Sequence, residues 1–110
     1  MTPSRAEVPA GTLEMLILRT LTLGPLHGYA IAQHIERVSD GVLCVEQGSL
    51  YPALERLLNK GWAKSRWAQS PTGRQARYYT ITAAGRKQLG LRADEYDRVA
   101  AAIARVLGRA

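Results

Sequence analysis

A single cysteine, Cys44, occurs in the 110 residues. Neither an internal disulfide nor a cysteine-based zinc cluster can therefore form, and a reducing compartment suits the chain. Long apolar runs are missing as well. Leu13 to Leu18 is interrupted by Glu14 and followed by Arg19, and no apolar run approaches the roughly 20 residues that a membrane span needs. Met1 to Pro9 lacks the continuous apolar segment and small-residue cleavage site of a secretory signal, so the expected location is the cytoplasm and no membrane partner is expected. The usual marks of catalysis are absent too. His27 and His34 stand seven apart, where paired metal ligands on one helix stand three or four apart. Ser49 lies in Gly-Ser-Leu-Tyr and not in a Gly-x-Ser-x-Gly elbow, Cys44 has no evident base beside it, and the glycines are scattered at turns. No catalytic residue, metal or cofactor is expected, so the chain does not read as an enzyme.

Acidic residues are missing from one long stretch. Between Arg56 and Lys87 the charges are Arg56, Lys60, Lys64, Arg66, Arg74, Arg77, Arg86 and Lys87, with no Asp or Glu among them. That segment alone exceeds the net charge of the whole chain, +6 at a pI near 10.0. A polyanionic partner follows, although a solvated basic face would read the same way.

With 46% hydrophobic residues, the chain has room for one compact core. Residues 1–10, with Pro3 and Pro9, read as a flexible lead-in. Thr12 is placed to cap a helix to about Leu23, stopped by Gly24-Pro25. A second helix begins near His27 or Gly28 and ends at Ser39-Asp40-Gly41. Val42 to Val45 is either a small strand or an extended link. From Gly48-Ser49, Leu50, Leu54, Leu57 and Leu58 form an apolar stripe, with Ser49, Glu55, Arg56, Asn59 and Lys60 facing away and Gly61 as the stop. Two β-type runs, Trp62 to Ala68 and Ala76 to Thr82, flank the turn-rich loop Gln69 to Gln75, which predicts a hairpin.

Thr82 caps a last helix expected to run to the end of the chain. Its apolar residues recur at about seven: Leu89, Tyr96 and Ile103, with Ala93, Ala100 and Leu107, and Val99 and Val106, beside them. So small a domain cannot cover that stripe alone, so these eight residues are the expected homodimer interface. Helices followed by a hairpin give the order of a winged helix-turn-helix, mainly α with a small β-hairpin, plus a long C-terminal dimerisation helix. The expected organisation is a lead-in over 1–10, the winged domain over 11–82 and the dimerisation helix over 83–110.

Several spaced residues then look familiar: Leu26-His27-Gly28-Tyr29, Gly48-Ser49-Leu50-Tyr51-Pro52-Ala53-Leu54 with Leu57, Gly61, and Arg77-Tyr78-Tyr79 with Thr80, Thr82 and Gly85. The pattern, over about Gly11 to Leu89, resembles the PadR family of transcriptional regulators, and the short length resembles its small subgroup with one helix after the wing. The resemblance implies a homodimeric repressor of a palindromic operator on double-stranded DNA, often released by a small hydrophobic or phenolic effector. Ser49, Tyr51 and Pro52 match the start of the family's recognition helix, Tyr29 the helix before it, and Arg74 and Arg77 the wing.

The residue chemistry agrees with those placements. Ser49 can donate to a phosphate or cap its own helix. Tyr51 offers a phenol where the helix dipole favours anions, or packs inward. Pro52 suits a first turn. Arg56 and Lys60, one turn apart, suit phosphate contact or guanine readout, unless they are merely solvated. With Gln47 these residues make up the expected DNA face: Tyr29, Gln47, Ser49, Tyr51, Pro52, Arg56, Lys60, Arg74 and Arg77. One of Tyr78 and Tyr79 should be core. Trp62 and Trp67 read as core or wing packing, and with Tyr96 they are the candidates for lining an effector pocket. The competing reading is a winged module for RNA or protein without specific DNA binding.

Overall fold

The computed structural model describes residues 6–8 and 11–109. Helix α1 (Thr12–Leu21), α2 (Gly28–Val38) and α3 (Gln47–Asn59) pack against a three-stranded antiparallel sheet. The sheet has the order β2 (Leu26–His27), β5 (Gln75–Ile81), β4 (Ala63–Gln69). Helix α4 (Ala83–Val106) follows the sheet. Two more residues, Ala6–Glu7 (β1), pair in parallel with Leu43–Cys44 (β3). That settles the open question at Val42 to Val45, because its middle is a strand. It also corrects the lead-in: Ala6–Glu7 is built into the fold and Val8 packs on the core. The rest of 1–10 lies outside the described residues.

The core is where the helical stripes meet the inner face of the sheet. Leu13, Ile17, Leu18 and Leu21 of α1, Ile31 and Ile35 of α2, and Leu50, Ala53, Leu54 and Leu57 of α3 close over Ala63, Tyr79 and Ile81. Burying side chains of this size stabilises by roughly 1.5–3 kcal/mol each relative to exposure. The alternation in β5 sends Tyr79 inward, and Tyr78 meets His27 edge to face at 5.5 Å.

Local chemistry sets the element ends. Thr82 Oγ1 accepts from the Gly85 amide at 3.0 Å and caps α4, as its position predicts. Gly61, at φ 75°, ends α3: its amide donates to the Leu58 carbonyl and the next amide, Trp62, donates to Leu57. Four starts and stops differ from expectation. The N-cap of α1 is Gly11, with φ 84° and no side-chain bond, so Thr12 is the first helical residue and not the cap, and the helix ends at Leu21. Helix α3 begins at Gln47, one residue before the expected Gly48-Ser49, which places Ser49 past the cap and Pro52 inside the helix instead of in its first turn. Helix α4 ends at Val106, where Gly108 at φ 74° and the Arg109 amide close a glycine C-cap.

The start of α4 is anchored on the core. Gly85 is buried so tightly that a Cβ there would lie 2.0 Å from the Trp62 carbonyl oxygen, and Leu89 packs on the core cluster. Beyond it the apolar stripe is bare: Tyr96, Val99, Ile103, Val106 and Leu107 are all exposed.

Candidate nucleic-acid interface

The loop between β4 and β5 stands away from the core as a wing, and α2 and α3 face its inner side. Between them lies a groove of about 940 Å³ lined by His27, Tyr29, Gln33, Tyr51, Glu55, Trp67, Arg74, Gln75, Arg77 and Tyr79, with smaller residues between. Tyr29 reaches it as the second residue of α2, a helix capped by the His27 ring, whose Nδ1 accepts from the Ala30 amide at 3.2 Å. Tyr51 comes from α3, with its ring packed against Gly28: a Cβ at Gly28 would lie 3.0 Å from the Tyr51 phenol oxygen. Arg74 sits at the end of the wing loop, beside Gly73 at φ 86°. Tyr29 and Trp67, at 62% and 67% exposure, are far more open than aromatic side chains in a folded domain usually are.

Arg77 is held in place. Its Nε donates to Ser65 Oγ and its Nη1 to Glu55 Oε1, both at 2.9 Å, while the guanidinium lies 5.6 Å from the Tyr79 ring centre. Burial pushes the Tyr79 hydroxyl above its ordinary pKa of 10.0, against the opposing charge of Arg77 and with the charge of Glu55 adding to the rise.

Of the expected DNA face, the structure thus gathers Tyr29, Tyr51, Arg74 and Arg77 in one groove. Gln47, Ser49 and Pro52 are exposed on the first half of α3, outside the groove lining. Arg56 and Lys60 turn to the opposite side. They meet Glu14 of α1, which is only 7% exposed, through Arg56 Nε to Oε2 at 3.4 Å and Lys60 Nζ to Oε1 at 2.9 Å. Burial raises the Glu14 pKa, but the Lys60 hydrogen bond and the charges of Lys60, Arg56 and Arg92 outweigh it, so the carboxyl lies below its ordinary 4.5. Lys60 also lies 4.6 Å above the Trp62 ring, and Arg92 of α4 lies 4.9 Å from it.

Trp62 is half-buried beneath those two cations, as core-side packing predicts, whereas Trp67 does not pack inward and lines the groove. Gln33, Glu55 and Trp67 were not expected in the groove. The one signal for Glu55 is its place four residues after Tyr51, on the same helix face. A second, apolar groove of about 720 Å³ runs between the start of α1 and α4, lined by Met15, Leu16, Leu43, Leu91, Arg92, Tyr96 and Val99 among others. Of the three aromatic candidates for an effector pocket, Tyr96 alone lines it.

Residues 17–91 match the transcriptional regulator PadR-like family. The chain belongs to this family. As a PadR-family protein it is a DNA-binding transcriptional regulator and not an enzyme. A transcriptional regulator from Clostridium thermocellum superposes with a TM-score of 0.80 at 27% identity, covering 86% of this chain and 92% of that one. A PadR family transcription regulator from hypervirulent Clostridium difficile gives 0.76 at 27% identity, over 88% of this chain and 99% of that one. An uncharacterized 37.1 kDa protein in transposon Tn4556 of Streptomyces fradiae is 43% identical over 96 residues, 87% of this PadR-family chain. The chain spans 24% of the length of that relative. Among the described residues, no helix is long and apolar enough to cross a membrane.

Proposed function

We propose that this PadR-family chain is a cytoplasmic homodimeric repressor that binds an operator of two inverted half-sites. The observation that carries the reading is the groove in which Tyr29, Tyr51, Arg74 and Arg77 converge from α2, α3 and the wing. A helix fits the major groove, about 12 Å wide, and a basic wing beside it meets phosphates. Tyr51 enters with the first half of α3, where Gln47, Ser49 and Pro52 are also open to solvent. Arg56 and Lys60, tied to Glu14, have a structural part in this reading and contact no base.

Pairing of α4 with its copy would cover Tyr96, Val99, Ile103, Val106 and Leu107, with Ala93 and Ala100 between them, whereas Leu89 is already spent on the core. Two recognition helices would then lie about 34 Å apart, or a multiple of it, along the duplex. The apolar groove beside Tyr96 is the place for a small hydrophobic or phenolic effector, since an occupant there would bear on the spacing of the two DNA-binding halves.

Nuclease footprinting on the promoter of the protein's own gene tests the reading. Two protected blocks with inverted sequence, centred one or two turns apart, are expected. A single unsymmetric block, or protection that spreads with concentration regardless of sequence, would overturn it.

A further inference from the structure

A groove built to meet a polyanion should exclude carboxylates, yet one lines it. Glu55 is the single acidic residue among the groove's lining residues, on the same face of α3 as Tyr51. Near phosphates a carboxylate costs affinity by like-charge repulsion, so its presence asks for a return in selectivity. Its chemistry states which. An ionised carboxylate only accepts hydrogen bonds; in the major groove guanine N7 and O6 and thymine O4 are acceptors that it repels, adenine sets its N6 donor beside the N7 acceptor, and cytosine alone presents a donor, its N4 amino group, with no acceptor beside it.

The geometry fits a reading group more than a neutralising one. Glu55 uses Oε1 to accept from Arg77, and Oε2 remains as a second acceptor. Arg77 is itself fixed by Ser65 of the neighbouring strand. The carboxylate therefore stands at a defined place between recognition helix and wing, with its orientation set before DNA arrives, which is the condition for discrimination. Over half of the Glu55 side chain is still open to solvent.

We propose that Glu55 reads a base: braced by Arg77, its carboxylate accepts a hydrogen bond from the N4 amino group of a cytosine in the major groove. This rests on the reading above, in which α3 enters the major groove of duplex DNA.

The test is selection of duplexes from a randomised pool by the full chain, followed by titration of the best duplex and all its single-base-pair variants against wild type and Glu55→Gln, with circular dichroism to confirm that the variant is folded. Wild type should favour cytosine by about tenfold at one position of each half-site. Glu55→Gln, whose amide both donates and accepts, should lose that preference at this position alone and bind random duplex more tightly. An unchanged cytosine preference in Glu55→Gln, or a uniform loss of affinity across all sequences, would show that Glu55 only positions Arg77 and would overturn the proposal. If wild type enriches no sequence at all, the DNA-reading assignment of α3 fails first, and the proposal goes with it.

Discussion

Glu14 ties Arg56 and Lys60, part of the basic surface, into the fold. Its carboxyl is nearly buried, and its two direct partners, Arg56 and Lys60, come from α3, 42 and 46 residues along the chain. Because the folded pKa lies below 4.5, the contribution to stability is fully present above the unfolded value and fades as pH falls through the folded one. Glu14→Gln should cost about 1–2 kcal/mol at pH 7, the range for charge-assisted hydrogen bonds discounted for the solvent exposure of both cations. Urea unfolding at pH 7 and again near pH 3 checks this: the gap between variant and wild type should narrow at the lower pH, and an equal gap at both would contradict the assignment. Sequence alone could not assign Arg56 and Lys60, since a basic pair on the polar face of a recognition helix reads alike whether it meets phosphate or a carboxylate from a distant helix. Trp67 was hidden for a related reason: the packing that a tryptophan in a strand implies depends on which face of the hairpin the core covers.

At the scale of elements, what was legible is what is decided within a few residues. The cap at Thr82, the stop at Gly61 and the hairpin follow from local hydrogen-bond needs, and the hairpin strands fall within one residue of expectation. The β1–β3 pairing joins two-residue strands from distant segments, too short to leave a periodic signal. Helix α3 starts one residue early because the Glu46 carbonyl already accepts from the Ser49 and Leu50 amides, with no side-chain cap bond needed. Pro52 consequently sits in the sixth helical position, where its missing N–H leaves the Gly48 carbonyl without its helical donor. Pro52→Ala should restore that bond and raise stability by about 1 kcal/mol or more, up to the roughly 3 kcal/mol that separates proline from alanine in a helix interior. Thermal unfolding measures it, and a lowered midpoint would mean that the ring is packed in a way the helix needs.

For the whole molecule, the proposed assembly rests on the second half of α4. It extends a 24-residue helix beyond the core, about 36 Å from end to end, with Val106 at 89% exposure and Ile103 at 53%. Replacing Val99 and Ile103 together by Asp should leave the winged domain folded, since neither belongs to its core, and convert a dimer to a monomer by sedimentation velocity at micromolar concentration. A wild type that sediments as a monomer there would remove the basis for a two-half-site operator. The heptad stripe was readable in the sequence, but that Leu89 faces inward was not, because the spacing of a helix does not say where its domain contact ends.

In the proposed binding mode, DNA meets the groove between α3 and the wing and not the side of α3 that carries Arg56 and Lys60. Fluorescence-anisotropy titration of the promoter duplex and a scrambled duplex, at several salt concentrations, against wild type, Arg74→Ala and Lys60→Met tests it most directly. Salt-dependent preference of the wild type for the promoter is expected, with a loss of about tenfold and a shallower salt slope in Arg74→Ala and near wild-type binding in Lys60→Met. Strong loss in Lys60→Met with none in Arg74→Ala would contradict it.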